Sequence, residues 1–143
     1  MNLGLDTSVV LRLLIGQPSD LALVARQRLE QVHAESDMVV VTDLVVAESY
    51  YALVHHYKLD KDHARQLLQR MMTSGVVHCD PSEAVEALDA APGAGLVDRL
   101  ILHRHRSLKA ATLTFDRALG AAGAVLLKPA SAPETMTGTA SDL

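Results

Sequence analysis

Four acids in this chain are placed for more than surface solvation: Asp6, Glu48, Asp98 and Asp116. Asp6 follows the apolar stretch Leu3-Gly4-Leu5 and precedes Thr7-Ser8 and a second apolar run. Asp116 repeats that setting late in the chain, in Thr114-Phe115-Asp116-Arg117. Both stand where a strand gives way to a helix, and in open parallel α/β sheets chemistry gathers beyond the carboxyl ends of the strands. Asp98 falls in the first turn of a helix beginning near Leu96, where the helix dipole favours an anion. Glu48 has Leu44, Val45, Tyr51 and Ala52 as neighbours at helical spacing, so it interrupts a mainly apolar face. A carboxylate turned toward a core is costly unless it is paired, with Arg12 for example, or binds a cation. Each acid also has a plainer use as a cap, a dipole partner or half of an ion pair. Capping alone does not explain four of them on one edge.

Carboxylates gathered in this way repel one another unless cations neutralise them. Hard divalent ions suit an all-oxygen set, which points to Mg²⁺ or Mn²⁺. No Cys/His spacing suits zinc, and His55-His56 and His103-Arg104-His105 read as solvated helix faces. The chemistry that fits is metal-assisted phosphodiester hydrolysis. No nucleophile elbow, ordered Ser/His/Asp set or phosphate-cradling glycine loop competes with it.

The elements that must position these acids follow from periodicity and punctuation. A short first strand leads into a helix from Val9 to Ile15, stopped by Gly16-Gln17-Pro18. A second helix runs from Asp20 to about Glu35, capped by Ser19, with an apolar stripe through Leu21, Val24, Leu29 and Val32. Met38 to Val41 is a β-branched run expected of a strand buried on both faces. Thr42 caps a helix from Asp43 to about Tyr57, and Leu59-Asp60 opens another from Lys61 to Ser74. Val76 to Cys79 reads as a third strand. Asp80-Pro81-Ser82-Glu83 carries the marks of a capped helix start. A helix from Leu96 to about Arg106, a strand over Ala110 to Thr114, a helix capped by Asp116 and a strand over Val125 to Leu127 complete the pattern. Strands alternating with helices predict an α/β fold with a parallel sheet covered on both faces.

The 143 residues make one domain over 1–128, followed by a Ser-, Pro- and Thr-rich tail over 129–143 expected to be disordered. With no Trp and one Phe the core must be aliphatic. The lone Cys79, the lack of a secretory leader and the lack of a membrane-length apolar run predict a cytoplasmic protein with no membrane partner. The net charge of −4 argues against a general nucleic-acid coat, but the charge is unevenly spread. Asp80 to Asp98 holds five acids and no Lys or Arg, whereas Arg99 to Lys128 holds six bases and one acid. Arg99, Arg104, Arg106 and Lys109 are therefore candidates for RNA contact, beside the equal prospect of a solvated face.

Leu5-Asp6-Thr7-Ser8, Val46-Ala47-Glu48, Val97-Asp98-Arg99-Leu100-Ile101 and Thr114-Phe115-Asp116, in this order and spacing over about residues 2–128, resemble a PIN domain, specifically the VapC-type toxins of toxin–antitoxin pairs. The resemblance implies a three-layer α/β/α sandwich with a central parallel sheet, and a Mg²⁺- or Mn²⁺-dependent endoribonuclease. It also implies a homodimer and a small VapB-like antitoxin as partners. Asp6, Glu48, Asp98 and Asp116 match the family's acidic quartet, with Asp6 and Asp98 as direct ligands. Ser8 and Thr114 match its supporting polar residues. Two features depart from the pattern: the loop Pro92-Gly93-Ala94-Gly95-Leu96 lacks a further polar or acidic residue, and Arg99 replaces a small one. The alternative reading is a PIN-like RNA-binding adaptor without turnover. A phosphoacceptor domain would want a second acid at position 8, where Ser8 stands.

Overall fold

Residues 2–130 are described by a computed structural model. The expected tail lies outside the described residues from position 131 onward. Strand β1 (Leu3–Gly4) leads into α1 (Thr7–Ile15), capped by the Asp6 carboxylate and ended by Gly16, whose φ of 76° suits a residue without a Cβ. Helix α2 (Ser19–Ala34) follows Pro18; its first turn has no side-chain cap, so Ser19 is inside the helix instead of capping it. Strand β2 (Val39–Thr42) runs into α3 (Asp43–Tyr51), where Thr42 Oγ1 accepts from the Val45 N–H at 3.5 Å. The helix continues through a wider π turn, Ala52–His56. Asp60 caps α4 (Lys61–Met72) through the His63 N–H at 2.7 Å.

After β3 (His78–Asp80), the expected capped α-helix is a 3₁₀ helix, Ser82–Leu88. No side chain caps it, because the Asp80 carboxylate faces Arg104 instead, at 3.6 Å. Helix α5 (Leu96–Ser107) leads to β4 (Leu113–Thr114), α6 (Arg117–Ala121) and β5 (Val125–Leu126). Among the described residues no single helix is long and apolar enough to cross a membrane.

All strand pairs are parallel, as βαβ connections require. Leu3 pairs with Val39, and Val41 with Cys79, giving the order β1-β2-β3. The other two strands do not join this sheet. They form their own pair, with Leu113 opposite Val125 and Thr114 opposite Leu126. The α/β sandwich is thus present, with its strands divided between two sheets.

The larger core is aliphatic, built from Val10, Val41, Val46, Leu53, Leu68 and Leu88, all essentially fully buried. Each such side chain contributes about 1.5–3 kcal/mol on leaving water. A second, small cluster joins Leu102 and Ala94 to Leu119 of α6. The β4–α6–β5 unit therefore rests on α5.

Candidate active site

The sharp exit from β1 organises the site. With its backbone extended, Asp6 turns its carboxylate back over the first turn of α1, where Oδ1 accepts from Ser8 Oγ at 2.7 Å and from the Val9 N–H at 3.2 Å. The Ser8 hydroxyl first, and the Val9 amide second, hold the carboxyl below its ordinary 3.8. The Ser8 backbone N–H adds a weaker pull in the same direction. Capping and a second role are compatible in this arrangement.

Thr7, between the two, donates its hydroxyl to Glu48 Oε1 on α3. This bond ties the first helix to the third and places Glu48 beside the β1 exit. Glu48 does not face a core. It is exposed, as are its neighbours Leu44 and Tyr51 at 75% and 64%. Of the apolar neighbours at helical spacing, Val45 and Ala52 turn toward the core while Leu44 and Tyr51 point outward with Glu48. The partner is a hydroxyl and not Arg12.

Helices α3 and α5 flank a groove of about 230 Å³ lined in part by Ala47 and Val97. Glu48 and Asp98 are the next residues along each helix. Asp98 is half-buried in the first turn of α5, between exposed Val97 and buried Leu100. Asp116 lies apart, on the β4–α6–β5 unit. Its carboxylate caps α6 through the Leu119 N–H at 2.9 Å, and its own N–H donates to Thr114 Oγ1 at 2.9 Å. Among the described residues no three Asp, Glu, His or Cys side chains converge as a ready metal cluster. The structure joins Asp6, Ser8, Thr7 and Glu48, sets Asp98 on the adjoining helix, and leaves Asp116 and Thr114 on a separate sheet.

Two acids that sequence reasoning passed over, Asp43 and Asp80, stand at the carboxyl ends of β2 and β3. Arg104 neutralises them. Its Nε and Nη2 donate to the two oxygens of Asp43 at 2.9 and 2.7 Å, and Nη2 lies 3.6 Å from Asp80 Oδ2. The only sequence signal was an acid at each strand end, which is also the signal for a cap. The other candidate RNA-binding cations have structural partners too. Arg99 Nη1 donates to the Asp89 carbonyl at 2.8 Å and so ties α5 to the end of the 3₁₀ helix; it does not pair with Asp98. Arg106 Nη2 donates to the Ala122 carbonyl at 3.3 Å. Lys109 is exposed, and its ammonium has no partner among the described residues.

His103 departs from the expected solvated face. It is 8% exposed, and burial first, then Arg106, lower its pKa from 6.5. His105 is half-buried, its Nδ1 2.8 Å from Thr112 Oγ1.

The PIN domain family profile matches residues 4–124. The chain belongs to the PIN domain family. No curated protein and no solved structure matches it. PIN domains are generally nucleases and typically use divalent metal ions. The residues at the β1 exit fit such an ion in kind: carboxylate and hydroxyl oxygens only, and no thiolate or imidazole among them.

Proposed function

We propose that this PIN domain is a Mg²⁺- or Mn²⁺-dependent endoribonuclease and the toxin of a VapC-type toxin–antitoxin pair. The observation that carries the reading is the Asp6–Thr7–Glu48 connection, which gathers hard oxygen donors beyond the carboxyl end of a parallel strand in a chain of this family. Asp6, Glu48 and Asp98 are the residues that would hold the ion, with Asp116 as the fourth acid. The chemistry such a cation supplies when bound is activation of water and stabilisation of the leaving oxygen in phosphodiester hydrolysis.

The chain's own groups orient and neutralise. Ser8 and the Val9 amide keep Asp6 ionised and fixed in direction, and Thr7 fixes the direction of the Glu48 carboxylate. Arg104 removes the charge of Asp43 and Asp80 from the same sheet edge, which lowers the repulsion the site acids feel. Lys109 is the first choice for an RNA phosphate, since its ammonium is not already engaged. The partners are an RNA, a second copy of the chain and a VapB-like antitoxin in the cytoplasm. An arginine of that antitoxin reaching the carboxylates would silence the site by a charge-assisted pair.

The separation of Asp116 from the other acids favours one competing reading, an RNA-binding adaptor without turnover. Cleavage of RNA by the purified chain decides between them. It should require Mg²⁺ or Mn²⁺ and be lost in Asp6→Asn and in Asp98→Asn with the fold intact. Cleavage that survives EDTA and both substitutions would sink the nuclease reading, and retained RNA affinity without cleavage would establish the adaptor.

A further inference from the structure

The two sheets are each unfinished, and in complementary ways. Among the described residues β1 is an edge strand, paired only with β2. Beside it lies an apolar groove of about 450 Å³, lined by Leu3, Leu5, Val9, Leu21, Val24 and Leu29. Leu21 and Val24, the stripe that the helical pattern of α2 assigns to a core, are about half exposed there.

The β4–α6–β5 unit shows the converse. Leu113 of β4 stands opposite Val125 of β5, and Phe115 and Leu127, each one residue past its strand, continue the alternation on that face, with the Leu127 N–H donating to the Thr114 carbonyl at 2.7 Å. All four are exposed, Leu113 at 63% and Phe115, the chain's single phenylalanine, at 78%. A two-stranded sheet with a bare apolar face is marginal alone. The free edge of β1 and the bare pair β4–β5 have the same polarity, parallel to parallel.

We infer that the β4–α6–β5 unit of one chain docks on the β1 edge of a second copy, and reciprocally, in an exchanged dimer. The occupant is a second copy because the chain's own unit is held elsewhere. Leu119 packs on Leu102 and Ala94, Arg106 bonds the Ala122 carbonyl and His105 bonds Thr112, so folding back would break all of these contacts. Setting Leu113 beside Leu3 and Phe115 beside Leu5 extends the parallel sheet to five strands and seats the bare face in the groove. The exposed apolar side chains cover roughly 600–700 Å² per chain, and the reciprocal pair falls near the ~1,200–2,000 Å² of a stable interface. Charge agrees as well: Arg12 and Arg28 lie on the groove, and Asp116 ends the incoming strand.

The docking has a functional consequence, which rests on the nuclease reading. The same register sets Asp116 of one chain beside Asp6 of the other, at the carboxyl ends of adjacent strands. The fourth acid then arrives in trans, and the site is incomplete in a single chain.

Crosslinking reads the interface without reference to activity. A full-length chain carrying Leu3→Cys and Leu113→Cys, treated with a short bismaleimide, should run as a covalent dimer, with a light-scattering mass of two chains before treatment. An internally linked monomer or an unlinked chain would overturn the proposal. Phe115→Asp, at a position exposed in the single chain, should give a folded monomer by circular dichroism and light scattering; a dimer that persists would also overturn it. Asp6→Asn and Asp116→Asn chains, each inactive, should recover roughly a quarter of wild-type cleavage when unfolded and refolded together, since half the random dimers then hold one intact site of two. A crosslinked dimer without that recovery from an active wild type would overturn the trans site. An inactive wild type that still crosslinks would remove the nuclease reading and leave the interface standing.

Discussion

Replacing Arg104 with methionine tests whether the sheet edge is held by the Asp43–Arg104–Asp80 arrangement. The substitution keeps a long apolar stem and removes two charge-assisted bonds of 2.9 and 2.7 Å to Asp43. Exposed pairs are worth about 0.2–1 kcal/mol, and breaking a fully buried pair costs about 3–5 kcal/mol. This pair lies between, with side-chain exposures of 36% for Arg104 and 12% for Asp43. Asp80, at 3.6 Å and 63% exposed, adds little. With the discount for solvent screening, Arg104→Met should lose about 1.5–2.5 kcal/mol, a fall in Tm of roughly 4–8 °C for a chain of this size. A double-mutant cycle with Asp43→Asn, read by urea unfolding, should return a coupling of about 1 kcal/mol or more. A single-mutant loss under about 0.5 kcal/mol would refute the reasoning. The same protein answers a second question. With its guanidinium committed inside the fold, Arg104 should leave the salt dependence of RNA affinity unchanged, while Lys109→Ala should lower the log–log slope by about one.

Three further outcomes are expected. Thr7→Val removes the donor to Glu48 and should lower metal affinity or cleavage by roughly 10–100-fold, with Thr7→Ser restoring it; equal activity in Thr7→Val would show that the bond positions nothing. His103 is held neutral by burial, so the unfolded chain takes up its proton first: stability is full above about pH 6.5 and falls as pH drops toward the lowered folded value. Urea midpoints at pH 7.5 and 5.5 should show this, and His103→Phe should flatten the difference; an unchanged difference would assign it to other groups. Cys79 is pushed from 9.0 to about 11, by burial first and then by Asp43 and Asp80. Iodoacetamide should accordingly modify the native thiol at least about tenfold more slowly than the urea-unfolded one at pH 8, and equal rates would contradict that environment.

What the sequence made legible was local. Asp6, Thr42, Asp60 and Asp116 each cap a helix where a short polar side chain precedes an apolar run, because the bond is made within three residues. The run at Val39 to Val41 is a strand for the same reason, being apolar on both faces. What was missed depends on distant partners. Asp80 looked like a cap, but Arg104, 24 residues on, engages it. Glu48 looked inward-facing, since a helical pattern with apolar residues on several sides does not say which side meets the core. His103 looked solvated, but α5 packs against the 3₁₀ helix Ser82–Leu88, whose Glu83 and Glu86 lie near the imidazole. The division into two sheets has no local signature at all: β1 and β4 read alike as short strands followed by an acid.

The central claim is that Asp6 anchors a divalent-cation site. Calorimetric titration of Mn²⁺ into the wild-type chain and into Asp6→Asn, at a protein concentration where both are folded, tests it most directly. Saturable binding in the wild type, weakened at least about tenfold in Asp6→Asn, is the expected result. Equal binding in the two proteins, or none in the wild type, would contradict it.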